Sequence, residues 1–434
     1  MTNATTDPLE INSRRNAVLN IAGEGLWGYL AGLTASATVL VVMLKKAGAS
    51  DLLIGIVAGI ESAGFIFPQL IGNLLFKSRA SRKRNLIIWH FAIPIPSLFA
   101  MAALCRFSPD LSATAFRWAA VSIFAVYILS IGIIISLWMD WLSSIFTERT
   151  RGTAFGLGFG ASQLLNFAGG LTAGALLSRD NALTTFSVLY LIAGITGALS
   201  ISVFMLIRDP ADPSVSAAAP QREPDVTFTK MLGLFRQSLS DPNFRRFLFG
   251  RVLATAGFCV TPFIAAHFMA AENGGLPESK IITYGASIAV GAALTNSLFG
   301  WIGDRRGHRI GIITGATMQT LTLISLLTLK GDIGCVIAYV GVGLCNGAGF
   351  VSYYNMLFET CLHHHRLSHI TVANLTTSIG ALFPMLAGII VETAGFRILL
   401  TGSLALSAIA LIWYALAVKR SEEHTSELQS RITI

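Results

Sequence analysis

The sequence predicts an all-α integral membrane protein of twelve transmembrane helices in two pseudo-symmetric six-helix bundles. Three observations lead there. Charged residues make up 12% of the chain and hydrophobic residues 53%, with a mean hydropathy of +0.65, whereas a soluble domain carries roughly 25% charged residues. Twelve runs are long enough to supply the about 20 apolar residues that cross a hydrocarbon core. A long polar segment, 208–243, divides those runs six and six.

In order the runs are 17–44, 52–76, 86–105, 119–145, 153–177, 186–207, 244–270, 281–302, 310–330, 333–358, 370–391 and 397–418, the last two separated only by "ETAGF". They define a first bundle (1–207), a cytoplasmic linker (208–243) and a second bundle (244–419). The polar start "MTNATTDPLEINSRRN" precedes an apolar run too long for a signal-peptide core, so span one is expected to be uncleaved. The linker opens "RDPADPSVSAAAPQREPD", a Pro/Ala-rich composition that favours disorder. It closes "TFTKMLGLFRQSL", whose Met231, Leu232, Leu234, Phe235 and Leu239 suit an amphipathic helix on the membrane surface. The tail "RSEEHTSELQSRITI" (420–434) resembles the translation of a sequencing-adapter oligonucleotide. It is set apart as a non-native or disordered tail.

Basic residues orient the spans, because cytoplasmic loops hold the excess of Lys and Arg. With both termini inside, 22 of the 31 basic residues fall on the cytoplasmic side and eight outside. The expected location is the cell membrane, with multiple passes. The net charge of +8 is accounted for by that bias and does not call for a nucleic-acid partner. The five Cys residues are scattered without a CxxC pair and read as packing residues rather than a disulfide framework.

The halves also repeat. "GNLLFKSRASRKR" (72–84) follows span two and "GWIGDRRGHR" (300–309) follows span eight, with Gly72 and Gly300 at an offset of 228. Arg151 and Arg366 close equivalent loops at an offset of 215, and "NAVLNIAGEG" (16–25) lies over "NFRRFLFGRV" (243–252) at 227. Six plus six spans with matching loops is the sequence mark of a two-bundle transporter.

These residues resemble the major facilitator superfamily of secondary transporters over the whole chain except the tail. The family's loop, roughly GxxxDRxGxR, is met by Gly300, Asp304, Arg305, Gly307 and Arg309 between spans eight and nine. The first-half copy departs from it: Phe76 stands where the acid belongs, and no Gly follows. "MDWLSSIFTERTRG" (139–152) is similar to the family's acid-then-Arg-Gly loop, carrying Asp140 and Arg151. The resemblance implies that these residues latch the cytoplasmic side, with Asp140 pairing to latch-loop cations. On this reading Gly300 allows close helix approach and Gly307 a tight reversal. A purely topological anchor is the alternative.

Ionisable residues inside the membrane are costly and are functional candidates by default. Glu61, ten residues into span two, lies near mid-membrane, where a carboxylate could bind and release a proton. Glu24 and Arg251 occupy equivalent positions of spans one and seven with opposite charge. They are read as a direct ion pair, as two groups flanking one anionic or zwitterionic substrate, or as two independent contacts with neighbouring helices. Gln163 and Asn166, which share a helical face at i, i+3, are candidate cavity residues, with Asn296, Tyr353 and Asn355. The Gly-rich "GLGFGASQLLNFAGGLTAG" (156–174) lies within a span and reads as close helix packing, not a phosphate loop. Pro68, Pro94, Pro96, Pro262 and Pro384 are expected to kink their spans. "HHHRLSH" (363–369) lacks a second ligand pair and reads as a solvated loop; His90 and His267 read as packing partners.

No nucleotide-binding, zinc-protease or nucleophile-elbow motif is present, so no cofactor and no enzymatic activity are expected. The expected function is secondary transport of a small molecule by a monomer, with protons as the coupling ion. Efflux of amphipathic compounds and ligand sensing without transport are the alternatives.

Overall fold

The computed structural model describes residues 8–64, 68–76, 81–180, 182–209, 236, 238–359, 372–373, 376 and 379–419, and among these there is no β-strand. Span one comprises α1 (Pro8–Leu33), a π-turn (Ser36–Leu40) and α2 (Val41–Lys46). Span two comprises α3 (Asp51–Gly64) and α4 (Pro68–Leu75), and span three α5 (Arg82–Ala92) and α6 (Pro94–Arg106). Spans four to six are the single helices α7 (Ala113–Ser144), α8 (Glu148–Arg179) and α9 (Thr185–Met205). Span seven holds α10 (Pro242–Gly257) and α11 (Ile264–Met269); span eight holds α12 (Glu278–Gly285) and α13 (Ser287–Arg306). α14 (Arg309–Thr328), α15 (Gly331–Glu359), α16 (Leu382–Ala394) and α17 (Phe396–Leu416) complete the chain.

Nine of the twelve expected spans are long and apolar enough to cross a membrane among the described residues. The other three have separate reasons. Span two is described in two pieces and span eleven in part. α8 is 32 residues long, ample for a crossing at about 1.5 Å per residue, but its glycines and polar residues dilute its hydropathy. The amphipathic linker segment, the His-rich loop and the tail lie outside the described residues.

Local chemistry sets the helix ends. Ser112 and Thr147 accept from the backbone N–H three residues on and start α7 and α8. The Asp241 carboxylate accepts from the Asn243 and Phe244 N–H groups, with Pro242 at the first helical position of α10. Pro94 separates α5 from α6, and Pro262 lies in the 3₁₀ turn before α11, so both interrupt their spans as expected. Gly307, at φ +81°, makes the reversal between α13 and α14.

The described residues fall into two compact units, one within Met1–Ala49, Ile60–Arg222 and Glu278–Ala286, the other within Ser50–Gly59, Glu223–Pro277 and Ser287–Ile434. The core of the first is built on Trp138, Trp141, Phe204, Leu142 and Ile201. That of the second is built on Phe244, Phe247, Tyr353, Met356 and Tyr414. Small residues decide where the short exchanged segments go. A Cβ at Gly174 of α8 would strike Thr283 of α12, and one at Gly55 of α3 would strike the Pro384 carbonyl of α16.

The internal repeat is realised as matching clamps. In the first unit Asn16 donates to the Arg208 carbonyl (2.9 Å) and accepts from its N–H (3.1 Å), tying the start of span one to the end of span six. In the second, Asn243 accepts from the Lys419 N–H at 2.9 Å, tying span seven to span twelve. A Cβ at Gly23 would lie 2.5 Å from the Phe204 ring, and one at Gly250 2.5 Å from the Tyr414 ring. The Lys83 ammonium donates to the Ile207 carbonyl. Arg309 does the same for the second unit, donating to Val418 (2.7 Å) and Ala415 (2.6 Å). A cation on the last carbonyls of a helix satisfies orphan acceptors and opposes the macrodipole.

Candidate substrate and coupling site

Close packing of α1 on α8 sets up the first unit's cavity. A Cβ at Gly28 would collide with the Ser162 backbone and one at Gly32 with the Asn166 carbonyl, so only glycine allows this approach. The approach brings Ser162 beside Glu24 and Trp27, which stand on one face of α1 at i, i+3. With His90 from α5, Trp138 and Met139 from α7, Phe159 from α8, Phe204 from α9 and four isoleucines, these residues line a cavity of about 250 Å³.

Its polar groups are few. The Trp138 indole N–H donates to the Glu24 carboxylate, which has no ion-pair partner among the described residues. His90 is buried, with Nδ1 2.7 Å from the Leu86 carbonyl. A carbonyl only accepts, so Nδ1 carries the proton and a neutral ring leaves Nε2 as an acceptor. The imidazole meets Trp27 and Trp138 edge to face at 5.4 and 5.1 Å, and Trp138 meets Phe204 at 4.7 Å. These contacts lock the aromatic wall around the carboxylate.

The second carboxylate is held at a helix break. α1 ends at Leu33, Ala35 leaves helical geometry (φ −49°, ψ 121°), and the chain resumes in the π-turn. The Ser36 hydroxyl at that break donates to the Glu61 carboxylate of α3 at 2.7 Å. Non-helical backbone at membrane depth is tolerated where protein or a polar cavity satisfies it, and such broken helices house ion and substrate sites in transporters.

Arg251 belongs to the second unit. Its guanidinium carbon lies 4.2 Å from the centre of the Tyr353 ring, and its Nε is buried without a hydrogen-bond partner. Tyr353 stacks in turn on Phe247 at 5.4 Å. Glu24 and Arg251 are 227 positions apart, and Trp138 and Tyr353 are 215 apart. Both units therefore hold a charge from the first helix against an aromatic ring from the fourth, with opposite signs. Of the polar cavity candidates, the Asn166 carbonyl faces Gly32 and Asn296 keeps a buried, unpartnered Oδ1. Gln163 and Asn355 are half-buried, and neither lines the cavity.

Asp140 pairs with Arg82 at the start of α5, placing the acid against the first-half loop that lacks one at Phe76. Arg151 is exposed. Arg305 lies over the Trp301 ring at 4.0 Å, and the Asp304 side chain is outside the described residues. The expected close approach at Gly300 is corrected: a Cβ there would meet nothing within 4 Å. The crowded glycine is Gly303, where a Cβ would strike the His308 ring. Regular spacing in the sequence could not separate these two glycines.

A family model described as Major Facilitator Superfamily matches residues 247–432. The sequence match lies within the second half of the chain. The fold agrees with solved structures of low sequence identity. A mutant of the nucleoside transporter NupG is 12% identical with a TM-score of 0.72, over 93% of this chain and 100% of that one. The E. coli fucose:proton symporter FucP is 14% identical with a TM-score of 0.57, over 93% and 98%. A bacterial homolog of the human lysosomal transporter Spinster is 14% identical with a TM-score of 0.59, over 96% and 99%. No curated protein matches by sequence.

Sequence reasoning found Glu24 and Glu61 from their charge and depth, but not the cage around Glu24. His90 is a packing partner as expected, and a cavity residue as well. The one available signal was the Glu24–Trp27 spacing, since the remaining walls come from four other helices.

Proposed function

We propose that this multi-pass membrane protein is a secondary transporter that moves a small molecule by alternating access, driven by protons. The observation that carries the reading is the Glu24 carboxylate on the wall of a largely apolar cavity, without an ion-pair partner among the described residues. A carboxylate so placed is stable only when a proton, a cation or a hydrogen-bonding solute compensates it. Glu61, held by Ser36 at the break in span one, is the second proton carrier. The structural neighbours, a nucleoside transporter and a fucose:proton symporter, support polar-solute transport and proton coupling in this fold.

In this mechanism the two halves rock about the bound solute, and the cytoplasmic loops hold the inner side when it closes. Asp140 with Arg82, and the loop at 300–309, are the latch. Both termini are cytoplasmic and one chain suffices. The test is flux in proteoliposomes under an imposed pH gradient, with a panel of labelled nucleosides, sugars, amines and drugs. Uptake or release of one class that follows the gradient, and falls strongly in Glu61→Gln, supports proton-coupled transport. Saturable binding without flux for any ligand would instead make the protein a ligand sensor. Flux indifferent to pH and to Glu61→Gln would remove the proton.

A further inference from the structure

We infer that the solute bound in the first unit's cavity is a small organic monocation, a primary or quaternary ammonium on an apolar body. The inference rests on the cavity assigned to transport above and names its ligand class. Glu24 is the one charged residue among the twelve that line the cavity, and no Lys or Arg is among them. An anion would face that carboxylate uncompensated in a low-dielectric site. A neutral polyol would need several hydrogen-bond partners, and the polar lining groups are Glu24, His90, Ser162 and the indole N–H groups of Trp27 and Trp138. His90 spends Nδ1 on the Leu86 carbonyl, and the Trp138 indole N–H is spent on Glu24.

The remaining surface suits a cation. Trp27, Trp138, Phe159 and Phe204 present aromatic walls beside the carboxylate, and aromatic rings attract ammonium groups most when water is excluded. Neutral Nε2 of His90 is an acceptor, which suits an N–H-bearing ligand. Four isoleucines and Met139 offer apolar contact for the body of the molecule. The cavity volume, about 250 Å³, lies below the roughly 300–1,000 Å³ of drug-sized ligand sites. Size therefore selects a small amine over a bulky amphipathic drug.

The test uses the intrinsic fluorescence of Trp27 and Trp138 in the purified full chain. Phenethylammonium is titrated against its neutral analogue 2-phenylethanol, with uridine and fucose as polyol probes. The expected result is saturable quenching by the ammonium, much weaker response to the alcohol, and retention of binding in Glu24→Asp. In Glu24→Gln affinity falls about thirtyfold or more, as for removal of one partner of a buried charge pair. Equal response to ammonium and alcohol overturns the inference on the unmodified protein, whether or not the variants fold. So does the absence of saturable ammonium binding, or binding untouched by Glu24→Gln. The transport reading fails separately: ammonium binding without flux leaves the ligand class standing, while uridine flux without ammonium binding does the reverse.

Discussion

Replacing Arg309 by Met separates a moving latch from a fixed helix cap. In the structure Arg309 donates to the Val418 carbonyl at 2.7 Å and to the Ala415 carbonyl at 2.6 Å, at the end of α17. A hydrogen bond from a charged group contributes about 1.5–3 kcal/mol, and a partly exposed site reduces this to about 1 kcal/mol each. The cation's interaction with the helix C-terminus adds roughly 0.3–1 kcal/mol. The loss is therefore about 2–3 kcal/mol, which for a cooperative unit of this size lowers Tm by roughly 5–10 °C. Thermal unfolding of the purified protein followed by tryptophan fluorescence measures it. Arg309→Lys keeps the charge but loses the fork, and is expected to lose about half as much. An unchanged Tm in Arg309→Met together with abolished flux would refute the cap and make Arg309 a residue that changes partners during transport.

Other substitutions test neighbouring arguments. Gly300→Ala fills open space in the middle of α13 and is expected to raise stability by up to about 1 kcal/mol through helix propensity, read as a higher Tm; lost flux at raised Tm would show that another conformation brings a neighbour against Gly300. Gly307→Ala strains the left-handed turn by about 1–2 kcal/mol with no steric contact, so Tm falls by several degrees. Gly28→Val drives a side chain into the Ser162 backbone and costs about 3 kcal/mol or more, seen as loss of monodisperse protein. Asp180 at the end of α8 accepts from the Thr185 hydroxyl (2.6 Å) and the Ala182 N–H (3.1 Å), which holds its carboxyl below the usual aspartate range. Its folded pKa is depressed, so the loop is stabilised above the unfolded value and loses that stability as pH falls through the folded one. Hydrogen exchange at the Ala182 amide should accelerate in that acid range, and Asp180→Asn should abolish the acid dependence.

Much of the architecture was legible because the bilayer imposes a one-dimensional code. Apolar runs of fixed length, basic loops and the interrupting prolines are read directly, and the offset of 227 sets Asn16 opposite Asn243, the residues that form the two clamps. The site was legible only in its charges. Glu24 and Glu61 stand out because few residues tolerate such depth, whereas Trp138, Phe204 and Ile201 look like ordinary lipid-facing or packing residues until helices are docked. The distinction between Gly300 and Gly303 was likewise invisible. What separates them is the direction of a neighbouring imidazole, which no spacing rule supplies.

Where the repeat holds and where it breaks then becomes a functional argument. The positions that keep their role across the offset are mechanical: Asn16 and Asn243 tie first span to last and Gly23 and Gly250 seat an aromatic ring, while Lys83 and Arg309, one position out of that register, each cap the final helix of their unit. The proposed rocking requires each unit to move as a rigid body, and the same clamps would serve both. The positions that change chemistry are the charged ones and their partners. Glu24 becomes Arg251 while its aromatic partner Trp138 becomes Tyr353, so the geometry is retained and the charge reversed. Asp140, paired with Arg82, becomes Asn355, which has no charge to pair. A duplicated scaffold needs no such inversion to fold, since either charge is costly at that depth. Swapping Glu24 and Arg251 together should therefore leave Tm within a few degrees while changing which ligands quench Trp27 and Trp138. If ligand preference survived the swap, the charges would be packing features and the cage alone would set recognition.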